Sequence, residues 1–90
     1  MTNTYYVYLI VAKRKDKLIS YVGYTSNLLN RVRLHNQGKG AKFTKGRKWK
    51  LIYKESFRSK NKAISREYYI KKNRTLRNKI KNENCNTITF

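Results

Sequence analysis

Two tyrosines, an arginine, a histidine and a glutamate form a set of side chains with the chemistry needed to cut a phosphodiester bond. A tyrosine hydroxyl or an imidazole can transfer a proton to or from an attacking water. An arginine offers a phosphate a rigid fork of donors, and a carboxylate is a hard oxygen ligand for Mg²⁺ or Mn²⁺. In chain order the candidates are Tyr8, Tyr21, Arg31, His35 and Glu67.

The segments that carry the two tyrosines have the composition of β-strands. Aromatic and β-branched residues fill residues 5–12, and the same composition returns in residues 18–24 after a charged turn. Residues 49–57 also have strand character. We therefore expect a small α/β domain of the α+β type, in which a three-stranded antiparallel sheet is packed with helices.

Hairpin geometry predicts that Tyr8 and Tyr21 share one face of this sheet. Side chains alternate along a strand and antiparallel partners point the same way, so an even-numbered loop at residues 13–16 or 14–17 gives this result. Gly23 falls on the same face, where its missing side chain leaves room for a bulky ligand close to the backbone. Tyrosine is also a common strand residue, so an ordinary packing role is the alternative for both tyrosines.

A first helix is predicted between a cap at Thr25 or Ser26 and a stop at Gly38. Arg31 and His35 are spaced i,i+4, so they lie side by side at the edge of its apolar arc, where the helix meets the sheet. The alternatives are an ordinary surface cation at Arg31 and, at His35, a helix C-terminal cation favoured by the macrodipole. The apolar arc consists of Leu28, Leu29 and Val32.

A second helix is predicted from a cap at Ser59 to about Ile80, and Glu67 lies in the middle of its buried arc. A buried carboxylate must be paired, neutralised or bound to a metal, because an unpaired one would cost several kcal/mol. One alternative is an ion pair with Lys71 at i+4, or with Arg31 across the interface; the other is a ligand for one Mg²⁺ or Mn²⁺. The apolar members of the arc are Ala63, Ile64 and Ile70.

The charge balance points to a polyanionic partner. The chain has 23 Lys and Arg residues against 4 Asp and Glu residues, a formal net charge of +19. Releasing counterions from phosphates supplies binding free energy to such a surface without any sequence preference. The glycine-containing segment after the first helix carries five of the cations that we expect to bind nucleic acid, namely Lys39, Lys42, Lys45, Arg47 and Lys48.

Several classes of protein are excluded by what the sequence lacks. No apolar run approaches the roughly 18 residues of a membrane span, and Cys85 stands alone, so neither a disulfide framework nor a thiolate metal site is predicted. We expect an intracellular, soluble protein, cytoplasmic and nucleoid-associated or nuclear, and not secreted. Residues 1–80 are predicted to form one domain and residues 81–90 a loose tail. The alternative for residues 87–90 is that they add an edge strand to the sheet.

Taken in order, these motifs resemble the GIY-YIG nuclease domain family, in particular its small stand-alone members and its structure-specific repair nucleases. The resemblance covers roughly residues 4–77, although Tyr6 replaces the glycine that names the first motif. The matching segments are Tyr6-Val7-Tyr8 at the first motif, Tyr21-Val22-Gly23 at the second, residues 31–36 at the arginine-to-histidine helix segment, residues 38–44 at the glycine-rich loop, and residues 66–72 around the metal-binding glutamate.

The resemblance implies a divalent-metal-dependent endonuclease that hydrolyses DNA phosphodiester bonds, with a role in repair or recombination. It implies that Glu67 holds one Mg²⁺ or Mn²⁺ and that Arg31 binds the phosphate. One of Tyr8 and Tyr21 would activate the attacking water while the other positions it, and His35 would relay the proton. Because a free tyrosine has a pKa near 10, Arg31, His35 or the metal must lower the pKa of the tyrosine that acts as a base.

A basic DNA- or RNA-binding module is the alternative, one that keeps the fold and cuts nothing, or cuts only with a partner. The expected partner is DNA, bound non-specifically or by its structure, with RNA as the second choice. No membrane is expected, and a protein partner would serve for targeting.

Overall fold

The computed structural model describes residues 4–84. The predicted α+β fold is confirmed, with an antiparallel sheet and helices on both of its faces. Within the described part of the chain, no helix combines the length and the apolar character needed to cross a membrane. The predictions for Cys85 and for an edge strand at residues 87–90 lie outside the described residues. The elements are β1 (Tyr5–Arg14), β2 (Lys17–Thr25), α1 (Leu28–Asn36), β3 (Lys50–Phe57), α2 (Lys60–Lys72) and α3 (Arg74–Glu83).

The sheet has the order β2-β1-β3, so the most apolar strand lies in the centre. β1 pairs with β2 through a tight turn at Lys15 and Asp16, with Lys15 in the left-handed region at φ 54°. Tyr8 lies opposite Gly23 and Ile10 opposite Tyr21. A loop at residues 14–17 predicts this same register, although the strands continue to pair up to Arg14 and Lys17 and the turn itself is shorter. The register confirms that the two tyrosines share a face.

The alternation of β1 divides the core into two layers. Val7, Leu9 and Val11 face a cluster with Ala63 and Ile70 of α2 and with Ile80 of α3. The even-numbered residues, from Tyr8 to Ala12, face a second cluster that includes Trp49 and the inner side chains of α1. A central strand covered on both faces explains the unbroken apolar run in its sequence.

The first helix begins one or two residues later than predicted. Asn27, rather than Thr25 or Ser26, is its N-cap, and its side chain accepts a hydrogen bond from the Asn30 N–H at 3.2 Å. Gly38 stops the helix as predicted, with a left-handed φ of 77° that suits glycine. Leu28 and Val32 pack inward, but Leu29 is 85% exposed, so its place in the apolar arc was wrong.

The predicted second helix is in fact two helices separated at Asn73. Asn73 leaves helical geometry, at φ −103° and ψ 86°, and its side chain accepts from the Leu76 N–H at 2.9 Å. Asparagine competes with the helix for backbone hydrogen bonds, which makes it a good cap and a poor interior residue. The break turns α3 so that Ile80 joins Ile70 in the core, and α3 then continues to Glu83, beyond the predicted boundary with the tail.

The start of α2 follows the prediction, whereas its apolar arc is narrower than expected. Ser59 is the N-cap, and its side chain accepts from the Lys62 N–H. Ala63 and Ile70 are buried, but Ile64 is 39% exposed and lies outside the core. The helix therefore contacts the sheet through a thin stripe, and Glu67 lies beside that stripe.

Asn73→Ala should destabilise the domain by about 1 kcal/mol, because α3 loses the side chain that caps its first turn. Urea unfolding followed by circular dichroism measures the loss. Asn78→Ala, an exposed asparagine inside α3, is the matched control and should leave stability unchanged or slightly raised. A more stable Asn73→Ala protein would mean that α2 and α3 prefer to merge into one helix.

Candidate active site

The candidate side chains converge on one cavity of about 520 Å³ at the end of β2. Its lining includes all five residues singled out in the sequence, which come from β1, β2, α1 and α2. Lys60 and Tyr5 also line the cavity and were not predicted, since neither stands out in the sequence. The predicted residues are Tyr8, Tyr21, Arg31, His35 and Glu67.

Gly23 makes room for a protein side chain rather than for a ligand. A methyl group added at Gly23 would overlap the Tyr8 hydroxyl and come within 2.7 Å of its ring carbon Cζ. The expectation of free space above Gly23 was therefore wrong, because the phenol of the opposite residue fills it. The glycine sets the position of the Tyr8 hydroxyl within the cavity.

His35 is buried to 1% exposure and is held by hydrogen bonds at both ring nitrogens. Nε2 lies 2.7 Å from the Tyr8 hydroxyl, and Nδ1 lies 2.8 Å from the Thr44 hydroxyl. We assign the tautomer from the hydrogen-bond network: the Thr44 hydroxyl donates its single proton to the Ala41 carbonyl at 3.0 Å and accepts from Nδ1–H. Nε2 of the neutral ring then carries no proton and accepts from Tyr8.

The surroundings keep this histidine neutral. Burial lowers the pKa of His35, and the nearby Arg31 guanidinium lowers it further. The alternative of a helix C-terminal cation was therefore wrong, since that role requires an exposed, charged ring. At neutral pH the imidazole presents an unprotonated nitrogen to the Tyr8 hydroxyl.

The pKa of Tyr8 is shifted in the direction opposite to the one expected for a general base. Burial raises the pKa of Tyr8, and Tyr21 and Glu67 add to the rise, while Arg31 lowers it only in part. Arg31 thus acts in the predicted direction, but burial outweighs it and the net shift of the Tyr8 pKa is upward. Its hydroxyl stays protonated and acts as a hydrogen-bond donor to His35.

The connection between α1 and β3, residues 37–49, is called the basic loop below, and it holds His35 from the side opposite Tyr8. Thr44 is fully buried, and its carbonyl accepts from Trp49 Nε1 at 2.8 Å. Asn36 closes the base of the loop, since its side chain accepts from the Trp49 N–H at 2.6 Å and donates to the Trp49 carbonyl at 3.2 Å. Gly40 lies so close that a methyl group there would overlap the His35 ring.

Thr44 and Gly40 are site residues that the sequence analysis did not assign to the site. Both lie in the segment that resembles the family's glycine-rich loop, but periodicity says nothing about a loop residue. Their partner, His35, is nine residues from Thr44 in sequence, and only the closed loop brings the two together.

Glu67 forms the first of the two ion pairs proposed for it. Lys71 Nζ lies 2.8 Å from Glu67 Oε1, and the carboxylate side chain is 15% exposed. The pair offsets the cost of burying the charge. The Lys71 side chain is 46% exposed, so its ammonium lies within reach of water as well as of Glu67.

The donor set fits a lightly ligated divalent ion. Among residues 4–84 there is no cluster of three or more His, Cys, Asp or Glu side chains that could enclose a metal. Mg²⁺ keeps several waters and is commonly held by one or two carboxylates together with substrate phosphate, so a single carboxylate in a cavity is sufficient. Glu67 is the residue that would hold such an ion.

Glu55 belongs to a structural cluster elsewhere. Arg66 makes a two-pronged contact with the Glu55 carboxylate, 2.9 Å at each oxygen, and the Tyr53 hydroxyl donates to the same group. Burial raises the pKa of Glu55, but the hydrogen bonds from Arg66 and Tyr53 outweigh it and leave the pKa lowered. None of these three residues lines the cavity, so this cluster ties β3 to α2.

Tyr21 stands in a group of aromatic rings at the mouth of the cavity. Its ring centroid lies 5.1 Å from that of His35 and 6.2 Å from that of Phe43, and Lys71 Nζ lies over it at 5.7 Å. Tyr21 is only partly buried, in contrast to Tyr8.

The predicted nucleic-acid-binding cations are carried by the basic loop. Four of the five are exposed, and Arg47 is half-buried with its guanidinium donating to the Phe43 carbonyl at 3.0 Å. None of the five lines the cavity itself. Their contact with nucleic acid stays a prediction for Lys39, Lys42, Lys45, Arg47 and Lys48.

Comparison with known proteins assigns the chain to a protein family. Residues 4–81 match the GIY-YIG catalytic domain. The chain belongs to the GIY-YIG family. This is a family of nuclease domains that act on DNA and generally use a divalent metal.

Similar GIY-YIG proteins are small stand-alone members of the family. A UPF0213 protein of Clostridium perfringens is 52% identical over 66 residues, covering 72% of this chain and 70% of the relative. The UPF0213 protein YazA of Bacillus subtilis is 46% identical over 72 residues, covering 79% and 70%. A UPF0213 protein of Bacillus halodurans, solved by NMR, is 34% identical, covers 86% of this chain and 81% of its own, and superposes with a TM-score of 0.48.

The stability of the domain should fall as the pH drops from about 6.5 toward 5, because the lowered pKa means that the unfolded chain takes up a proton on His35 before the folded chain does. Melting temperatures at several pH values measure the effect. His35 is the chain's single histidine, so His35→Gln, which cannot titrate there, should show a flatter profile. An equal slope in both proteins would contradict a neutral buried imidazole.

Proposed function

We propose that this chain is a divalent-metal-dependent endonuclease that hydrolyses DNA phosphodiester bonds. The observation that carries the proposal is the convergence of a tyrosine pair, an arginine, a neutral histidine and a carboxylate on one cavity. The net charge of +19 favours a phosphate-backbone substrate, whose binding should weaken steeply as salt rises. A role in DNA repair or recombination, and a cytoplasmic or nuclear location, stay predictions.

Glu67 is proposed to hold one Mg²⁺ or Mn²⁺ in exchange for its contact with Lys71. When bound there, the ion would polarise the scissile phosphate and offset the charge that develops on the leaving 3′ oxygen. Lys71, released from the carboxylate, stays beside the cavity as a cation for the DNA backbone.

Arg31 is proposed to bind the scissile phosphate. Its planar guanidinium can donate two parallel hydrogen bonds to a phosphate, and these strengthen as negative charge builds up on the phosphate oxygens. Lys60, on the same cavity, adds a second positive charge from α2. Both cations line a cavity whose one carboxylate is already paired, so the site has spare positive charge for an anionic substrate.

Tyr8 and His35 are proposed to take the proton from the attacking water. The water would pass its proton to the Tyr8 oxygen while Tyr8 passes its own proton to Nε2 of His35, so tyrosine stays neutral throughout. This route avoids a tyrosinate, which burial makes costly, and it uses the 2.7 Å contact between Tyr8 and His35. The imidazolium that forms keeps its Nδ1–H bond to Thr44.

Tyr21 is then the residue proposed to position the water. Tyr21 lines the same cavity, and its ring centroid lies 5.1 Å from that of His35. A hydrogen bond from Tyr21 would orient the water so that its lone pair points at phosphorus. Orientation of the reacting groups is one contribution to the rate enhancement.

Glu67→Gln should abolish cleavage of supercoiled plasmid and branched DNA in Mg²⁺ or Mn²⁺, while DNA affinity stays equal or rises slightly, since a negative charge near phosphate is removed. Glu83→Gln removes the same charge from an exposed position on α3 and should cleave like the parent. Parallel reactions in EDTA give the background.

Cleavage by a folded Glu67→Gln protein at the parent rate would exclude the metal-ligand role. If the parent chain binds DNA but no condition yields cleavage, the second function holds, a basic binding module that keeps the fold. A change confined to the melting temperature would leave Glu67 as the partner of Lys71 only.

Tyr8→Phe and Tyr21→Phe should each slow cleavage by about a hundredfold or more, because the ring packing remains and the hydroxyl that handles the water is lost. Tyr8→Phe should also cost about 1–3 kcal/mol of stability, since buried Nε2 of His35 loses its donor. Tyr53→Phe, which loses a hydrogen bond to Glu55 away from the cavity, is the matched control. Equal slowing by all three would show that the loss of any structural hydroxyl slows cleavage, and that Tyr8 and Tyr21 have no special role in handling the water.

A further inference from the structure

Phe43 is a half-exposed ring beside the cavity that the proposed chemistry does not use. It is 46% exposed and extends from the basic loop. Its ring stacks against Tyr21, with centroids 6.2 Å apart and planes inclined by 21°. An apolar ring left open to water next to a polar cavity is a place where a flat ligand group can bind.

The position of Phe43 is set by the same hydrogen bonds that hold the site. The next residue, Thr44, is fully buried and bonded to His35, and the previous turn closes through the Thr44 N–H to the Ala41 carbonyl at 3.2 Å. The ring of Trp49 also packs against Phe43, with centroids 6.0 Å apart. A group stacked on Phe43 would therefore lie at a constant distance from Tyr21 and the cavity.

The charges around Phe43 suit a nucleotide. Arg47 lies over the ring at 5.6 Å, and Lys42 and Lys45 are exposed on either side in sequence. Aromatic rings flanked by cations bind single strands, because every base has a flat face and every nucleotide carries a phosphate. An apolar protein partner would find three positive charges around its contact, which disfavours it.

We propose that Phe43 stacks on an unpaired base of the DNA strand whose phosphate lies in the cavity. The inference rests on the proposed function and names its substrate class, which is DNA with an unpaired nucleotide next to the scissile bond. In continuous duplex the base faces are covered by their neighbours, so Phe43 has nothing to stack on. Single strands, gaps and branch points expose such a face.

Binding in EDTA tests the proposal without any cleavage. The probe is a single-stranded oligonucleotide containing 2-aminopurine, whose fluorescence falls when the base stacks, and the same sequence as a duplex is the reference. Phe43→Leu keeps an apolar side chain on Tyr21 but removes the flat face, whereas Phe43→Trp keeps the face. Melting temperatures confirm that each variant is folded.

Phe43→Leu should weaken single-strand binding about tenfold and abolish the quenching, as expected for one lost stacking contact. Duplex affinity should stay within about twofold, since phosphate contacts are unchanged, and Phe43→Trp should behave like the parent. Tyr68→Leu is the matched control, because Tyr68 is 59% exposed on α2 with Lys72 over its ring at 4.5 Å. It should leave all three measurements unchanged.

Three results would overturn the proposal: single-strand affinity retained by Phe43→Leu, equal losses for single strand and duplex, or an equal loss in Tyr68→Leu. Retention by Phe43→Leu would fit an apolar protein contact instead of a base. The readout does not depend on cleavage, so it distinguishes a failure of base stacking from a failure of the nuclease proposal. A chain that stacks a base through Phe43 but never cuts would be a single-strand-binding module.

Discussion

His35 joins three parts of the fold through two hydrogen bonds, and the cavity depends on both of them. Nε2 meets Tyr8 of the central strand and Nδ1 meets Thr44 of the basic loop, while the residue itself belongs to α1. In a buried site an unpaired ring nitrogen would cost roughly 1–3 kcal/mol, so the strand, the helix and the loop keep one relative arrangement. The same burial keeps the ring neutral, which is the state in which it can accept a proton.

Space around this imidazole is provided by residues without side chains. Gly23 admits the Tyr8 phenol, and Gly40 admits the His35 ring, each at a distance where a methyl group would overlap. One glycine lies on β2 and the other in the basic loop, and each lies against one of the two hydrogen-bonded side chains, Tyr8 and His35. The same geometry gives close packing and holds the Tyr8 oxygen and Nε2 at 2.7 Å, the contact that the proposed proton transfer would use.

Local sequence pattern predicted much of this domain, and its failures have specific causes. Aromatic and β-branched composition identified the strands, and the alternation of side chains across a hairpin placed Tyr8 and Tyr21 on one face. Helical periodicity placed Leu29 and Ile64 in apolar arcs, yet both are exposed, since a small domain covers only a narrow stripe of each helix. The continuous helix through Asn73 was wrong because a capping side chain there outweighs the helical pattern on either side.

The sequence by itself determined the three strands, the presence of the first helix, the start of the second, the excess positive charge and the order in which the candidate residues occur. These features depend on composition and on spacing within single segments. Only the tertiary structure decided that Thr44 orients His35, that Lys71 rather than Arg31 pairs with Glu67, and that Tyr8 is a donor with a raised pKa. The Thr44 contact and the raised pKa of Tyr8 depend on groups that come together from distant segments. The pair with Lys71 was available within α2, but only the fold decided that Arg31 does not replace Lys71. Burial and partner choice arise from packing across the chain, and a linear pattern does not contain them.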